Sequence, residues 1–205
     1  MDNLELLFDR FTALMRSRDY SGAVSFFKER VREALQAEER EMATNAASLL
    51  ISSLIIAGND EEAIDLVWRV VNSLPEAAFL RSTFAGFLLY SLKQPQQALE
   101  VLDPVFEELM ALEGCRHATL GLRGTILFAL GRVEEAQDSF REMLQPSLWR
   151  MDPSAFDFRL VESLISAGLM KEECKEYLNI AYHQAQQTND EDVMARADHL
   201  RGLLS

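Results

Sequence analysis

A short phrase recurs along this chain, and it limits what the chain can fold into more than any other feature. "ALGRVEEAQDSF" (Ala129–Phe140) and "IAGNDEEAIDLV" (Ile56–Val67) share a glycine, two intervening residues, Glu-Glu-Ala, and a large apolar residue four places beyond the alanine. Ala63 and Ala136 have counterparts at Ala23 in "RSRDYSGAVSFF" and Ala98 in "SLKQPQQALEVL". A fifth copy, "SAGLMKEECKEY", puts Glu173 at that place. Successive anchors are 40, 35, 38 and 37 residues apart, and four residues beyond them stand Phe27, Val67, Leu102, Phe140 and Tyr177. A period in this range, carried across nearly the whole chain, predicts a stacked array of supersecondary units.

Each unit predicts two helices. In the fourth, Leu120, Leu127 and Leu130 lie at helical spacing before Gly131. Gly131 can adopt a left-handed helix end, and Glu134 and Glu135 then open the next helix at its positive dipole end. In the second, Leu50 and Leu54 share a face, Gly58 ends the helix, and Asn59 or Asp60 caps the next. The alanine is small because two helices cross there, and the residue one turn later fills the core. Pro104 interrupts an otherwise continuous pattern from Gln96 to Leu112 and should kink or split that helix. After the fifth pair, "TNDEDVMARADHLRGLLS" predicts a closing helix, capped by Asn189 or Asp190, with Val193, Ala197, Leu200 and Leu204 as its apolar stripe. Exposed array ends need such a cover.

These units resemble tetratricopeptide repeats: helix pairs with a glycine-rich turn, a small alanine, an apolar residue four later and a closing proline. "LGLRGTILFALGRVEEAQDSF" (Leu120–Phe140) carries the likeness best, with Gly124 as the small residue of its first helix; "LLISSLIIAGNDEEAIDLVWRVVNSLP" (Leu49–Pro75) follows. The resemblance implies an all-α fold, a right-handed α-solenoid of about five helix pairs plus a C-terminal cap, about eleven helices in all. The whole chain, 1–205, is expected to be one domain, with units at 3–38, 42–75, 77–112, 115–146 and 153–187 and a cap at 190–204. The sequence also departs from the family. No unit has the family's early tryptophan, Phe11, Ile51 and Val161 stand where Gly86 and Gly124 supply a small residue, and Glu173 replaces the fifth alanine. "QAEEREM" (Gln36–Met42) and "QPSLWRMDP" (Gln145–Pro153) are the expected places for the residues beyond the family's period.

Composition narrows the function. Thirty-three acidic against twenty basic residues give a formal net charge of −13. A non-specific nucleic-acid or anionic-membrane binder needs clustered positive charge, so neither is expected as a partner. The N-terminus carries Asp2 and Glu5 where a signal peptide carries cations, and "AASLLISSLIIAG" (Ala46–Gly58) is too short and serine-rich to span a bilayer. With Cys115 and Cys174 the only cysteines, and neither disulfide nor metal spacing between them, a reducing, cytoplasmic setting is expected.

Chemistry has few footholds. There is no phosphate-binding glycine loop and no H-E-x-x-H pattern. Cys115-Arg116-His117 could be a nucleophile with its base or half a metal site, but a helix start with an incidental cysteine accounts for it better. His183 and His199 read as surface residues. The doublets Glu61-Glu62, Glu134-Glu135 and Glu172-Glu173 point about 100° apart on a helix, which suits dipole compensation rather than a paired-carboxylate site. Trp68 and Trp149 read as packing residues. The expectation is a non-enzymatic protein with no metal and no cofactor.

In the tetratricopeptide family the concave surface, lined by the first helix of each pair, binds partners. The resemblance implies that this face comprises Glu5, Phe8, Thr12 and Arg16 in unit one, and Asn45, Ser48, Ser52 and Ile55 in unit two. Unit three adds Leu80, Thr83, Phe87 and Tyr90, unit four Ala118, Gly121, Thr125 and Phe128, and unit five Phe158, Glu162 and Ile165. It lacks a cationic clamp and is small and apolar at its middle, with aromatics at Phe87, Tyr90 and Phe128, which suits a peptide or helix with apolar anchors. The competing reading is that curvature buries these residues against one another. The function expected is a protein–protein adaptor holding a partner segment, the partner being basic or apolar-anchored. The alternatives are a dedicated chaperone for a secreted or assembly-prone substrate, and an oligomerisation or regulatory domain.

Overall fold

Twelve α-helices and one 3-10 turn make up the computed structural model, which describes residues 3–58, 60–112, 114–145 and 156–204; no strand occurs among the described residues. The helices are α1 (Asn3–Arg16), α2 (Tyr20–Gln36), α3 (Arg40–Ala57), α4 (Glu61–Ser73), α5 (Ala78–Tyr90) and α6 (Pro95–Leu102). After the 3-10 turn Asp103–Val105 follow α7 (Phe106–Ala111), α8 (Arg116–Ala129), α9 (Val133–Met143), α10 (Arg159–Ser166), α11 (Lys171–Thr188) and α12 (Glu191–Gly202). Neighbouring helices pack in pairs, as the repeat predicts.

The anchor series explains why. Ala23, Ala63, Ala98 and Ala136 are wholly buried, and so are Phe27, Val67, Leu102 and Phe140 one turn later. A methyl group there lets two helix backbones approach, and the large side chain beyond fills the space the approach encloses. The fifth unit keeps Tyr177 in the core but half-exposes Glu173; the buried small residue is its neighbour, Cys174. A carboxylate cannot occupy a dry crossing without a partner, so the packing shifts one position along the helix.

Turn chemistry sets the boundaries. Gly58 and Gly131 take φ of 98° and 74°, the left-handed region that glycine enters without steric cost. Asp60 caps α4 by accepting from the Ala63 N–H at 3.0 Å, and Asp190 caps α12 by accepting from the Val193 N–H at 3.1 Å. Asn189, the other candidate for that second cap, ends α11 in the left-handed conformation. Asn59 lies outside the described residues. Four further turns use a left-handed residue with a side chain: Arg18, Glu38 and Lys93 have φ near 57–58°, and Met170 has φ of 49°.

Pro104 splits the third unit's second helix, as expected: α6 stops at Leu102, a 3-10 turn carries the proline, and α7 resumes. Proline supplies no N–H to the helix ladder and clashes with the carbonyl four residues back. Around "QAEEREM" the surplus residues are helix rather than loop, because α2 and α3 run for 17 and 18 residues with only three between them. The other expected insertion, with Trp149 and Pro153, falls largely outside the described residues.

The contacts divide the chain into two compact units, Met1–Val105 and Phe106–Ser205, where the sequence suggested a single array. In the first, α1 packs on α2 and α3, α3 on α4 and α5, and α2 on both α3 and α4. In the second, α8 packs on α7, α9 and α10, and α11 on α10 and α12.

Candidate functional site

The first helices of the unit Met1–Val105 meet in the order α1, α3, α5. Their unburied stripes hold most of the expected face. On α1, Phe8 is 50% exposed and Glu5, Thr12 and Arg16 are open to solvent. On α3, Asn45, Ser48 and Ser52 are half-buried and Ile55 is 57% exposed. Ile56 stands beside it, exposed as well.

The expected register fails on α5. Leu80 and Phe87 are core residues, Phe87 being 1% exposed with its ring stacked 6.3 Å from that of Phe84. The open stripe of α5 instead runs through Phe79, Thr83, Gly86 and Tyr90, with Phe79 61% exposed and Tyr90 half-buried. The helix "AFLRSTFAGFLLY" is apolar on every side, so no polar stripe marks which face points outward. Gly86 is not pressed against a neighbour: a methyl group built on it would meet nothing nearer than the Tyr90 ring at 4.0 Å.

In the unit Phe106–Ser205 the expected face is divided between packed and open residues. Gly121 and Thr125 are buried, and a methyl group on Gly121 would lie 3.5 Å from Met143 and 3.6 Å from Asp157. Phe158 is buried too, while Ala118 is exposed and Phe128, Glu162 and Ile165 are half-buried. Glu162 forms an ion pair with Arg196 of α12. Phe128 lies in the second unit and Tyr90 in the first, so each belongs to the surface of its own unit.

The polar side chains along α3 and α5 are largely committed to their own helices. The hydroxyls of Thr44, Ser48, Ser52 and Thr83 each donate to the carbonyl four residues back, at 2.9–3.1 Å. Asn45 donates to the Glu41 carbonyl at 2.9 Å. Such back-bonding leaves the hydroxyl oxygens as acceptors but removes their donors.

The residues singled out for chemistry do not form a reactive set. His117 is buried, stacked on Tyr177 with 5.5 Å between ring centres and edge-on to Phe156, and burial pushes its imidazole down to about 4. It is a neutral ring in an aromatic cluster. Tyr177 donates to the Asp157 carbonyl at 3.3 Å, and burial raises its phenol well above the usual range. Burial likewise pushes Cys174 up to about 12, so it is a thiol and not a thiolate at neutral pH. Cys115 stands at the start of α8, and His183 and His199 are exposed on α11 and α12. No three His, Cys, Asp or Glu side chains cluster closely enough to hold a metal among the described residues.

No protein-family model and no curated protein matches this chain.

The acidic doublets do open helices α4, α9 and α11. One of them also does something the repeat pattern did not reveal. Glu62 pairs with Lys28 at 2.7 Å and with Arg32, and Lys28 reaches Asp60 at 3.0 Å, which ties α2 to the first turn of α4. Hydrogen bonds from Lys28 and Arg32 hold the Glu62 carboxyl below its usual range. The signal for it lay in the sequence: Lys28 and Arg32 share a helix face four residues apart, one repeat before Asp60 and Glu62. A buried cation, Arg81, donates through Nη2 to the Val71 carbonyl at 2.7 Å, in the last turn of α4 where the helix dipole is negative. No helix among the described residues is long and apolar enough to cross a membrane.

Proposed function

We propose that the protein is a non-catalytic binding scaffold that holds a segment of a partner protein, its helix pairs forming turns of a right-handed α-solenoid of the tetratricopeptide type within each unit. The observation that carries this reading is the set of large apolar side chains left uncovered on adjacent first helices: Phe8 on α1, Ile55 on α3 and Phe79 on α5. Isolated exposed apolar residues are ordinary, but one on each of three first helices in succession is what an extended interaction surface would use. The order α1–α3–α5, with second helices packing α2 on α4, supports the stacking of pairs that the repeat implies. The binding surface comprises Phe8, Thr12, Asn45, Ser48, Ser52, Ile55 and Thr83, to which Phe79 is added; Phe87, Gly121 and Thr125 leave it because they are packed inside.

The test is co-purification from the native host with the wild-type chain and with Phe8→Asp and Ile55→Asp variants whose melting is unchanged. A stable partner held by wild type and lost by both variants is the expected result. A partner held equally by all three would remove this surface from the binding site, and recovery of self-associated chain alone would replace the scaffold with an oligomerisation domain.

A further inference from the structure

Whatever binds the α1–α3–α5 surface must satisfy its own backbone, and this surface offers it little help. We infer that the occupant is an amphipathic α-helix of a partner protein, with a basic edge beside its apolar stripe, rather than an extended peptide; the inference rests on the binding reading above.

The first argument is hydrogen bonding. An extended segment brings a row of unpaired N–H and C=O groups, and each must find a partner or stay hydrated. Along α3 the hydroxyl protons of Thr44, Ser48 and Ser52 are already given to carbonyls of α3 itself, and on α5 the Thr83 proton is given to Phe79. The hydroxyls of α3 and α5 can therefore accept from a few N–H groups but have no proton left to give to a row of carbonyls. A helix needs none of this, because its ladder closes within the segment and only its side chains must match.

The second argument is shape. The three exposed apolar residues sit on separate helices, whose axes in contact lie about 8–10 Å apart. On one strand, residues three apart span about 10 Å but point to opposite faces, and those that share a face rise about 6.6 Å, out of step with that separation. A helix lying across the stripes spans that separation in about six residues at 1.5 Å each, so anchors at i, i+3, i+4 and i+7 reach more than one of them.

The third is charge. Glu5 and Asp9 on α1 and Glu41 in the first turn of α3 are exposed and have no ion pair among the described residues. Arg16 is the one cation on the α1 stripe, at its far end, while Arg40 is already paired with Glu76 at 3.3 Å. Lysine or arginine flanking the apolar stripe of the guest would meet those carboxylates.

A phage-displayed library of random peptides about 20 residues long, long enough for some five helical turns, supplies the probe. It is panned against the full chain, and the strongest peptide is then synthesised. The inference expects winners with apolar residues at helical spacing beside Lys or Arg. It expects the peptide to gain helicity on binding by circular dichroism, and its affinity to fall at least about tenfold for Ile55→Asp and for Phe8→Asp. It also expects a several-fold loss for the combined Glu5→Gln, Asp9→Asn and Glu41→Gln variant at low salt. Winners that are proline-rich, acidic or non-helical when bound, yet weakened by Ile55→Asp, overturn the helical occupant and leave the surface standing. Winners indifferent to both apolar substitutions, or no enrichment at all, overturn the occupant and the surface together.

Discussion

The two glycines of the first-helix pattern do opposite jobs, and single substitutions separate them. At Gly124 a methyl group would sit 2.5 Å from Leu160 Cδ2 and 3.2 Å from Ser139 Cβ, so α8 is held close to both α9 and α10. Gly124→Ala is expected to destabilise the protein by about 1–3 kcal/mol through overpacking. Gly86 faces open space on a helix, so Gly86→Ala is expected to stabilise by up to about 1 kcal/mol from helix propensity alone. Thermal melting of the two variants checks both signs. His117 makes a pH prediction. Its folded value of about 4 lies below its ordinary 6.5, because burial penalises the cation more than the Asp157 charge favours it. Between those values the unfolded chain binds the proton and the folded one does not. Stability is therefore full above about pH 6.5 and falls by roughly 3 kcal/mol as the pH drops to 4. His117→Phe, keeping a ring against Tyr177, should flatten that part of the curve of melting temperature against pH; an unchanged slope would show that His117 does not titrate there. Most of this residue-level detail was beyond the sequence. The pattern marked Gly86 and Gly124 alike as small residues of first helices, because composition along one helix does not report how closely the next one lies.

At the level of the element, turns and caps were legible where a specialised residue announces them and hidden where an ordinary one is forced into the same shape. Gly58, Gly131 and Asp60 declare a helix end or start, and the helices follow them. Arg18, Glu38 and Lys93 do the same backbone work with no such mark, so nothing in the sequence singled them out as left-handed turn residues. Glu38→Gly and Lys93→Gly, by relieving side-chain crowding in the left-handed region, should each stabilise by about 0.5–1 kcal/mol, read from urea midpoints. The Asp60 cap gives a sharper test, because its carboxyl is held below its usual range first by the Ala63 N–H and then by Lys28. Asp60→Asn keeps the cap and should cost a few tenths of a kcal/mol, whereas Asp60→Ala loses it and should cost about 1 kcal/mol. Equal losses would mean that the ion pair to Lys28, not the cap, sets the start of α4. The exposed stripe was legible on α1, whose polar and apolar residues separate around the helix, and on α3, where Asn45, Ser48 and Ser52 mark it at helical spacing. It was misread on α5, where every side is apolar and only tertiary packing decides that Phe87 turns inward and Phe79 outward.

For the whole molecule, a formal charge of −13 predicts that a basic partner associates faster as salt falls, since unscreened attraction reaches only about 8 Å at physiological ionic strength. Stopped-flow association rates unchanged between roughly 20 and 500 mM salt would count against electrostatic steering. The all-helical architecture was legible throughout because its cause, a small residue and a large one set a turn apart, is written once in nearly every repeat. The division into two units was not, although it falls just past Pro104, because a proline in a helix does not say whether the packing on either side continues. One consequence lies in time rather than in space. Helix contacts within each unit run between neighbours or next neighbours in the chain, as α1 with α2 and α3, or α8 with α9 and α10. A chain that closes only short loops does not wait for its ends to find each other, so folding should reach the microsecond-to-millisecond range of local-contact proteins. Nor need such a unit open all at once. Hydrogen exchange should be graded, fastest for the amides of α1 and α12, which have neighbours on one side only, and slowest for α3 and α8, each enclosed by helices before and after it.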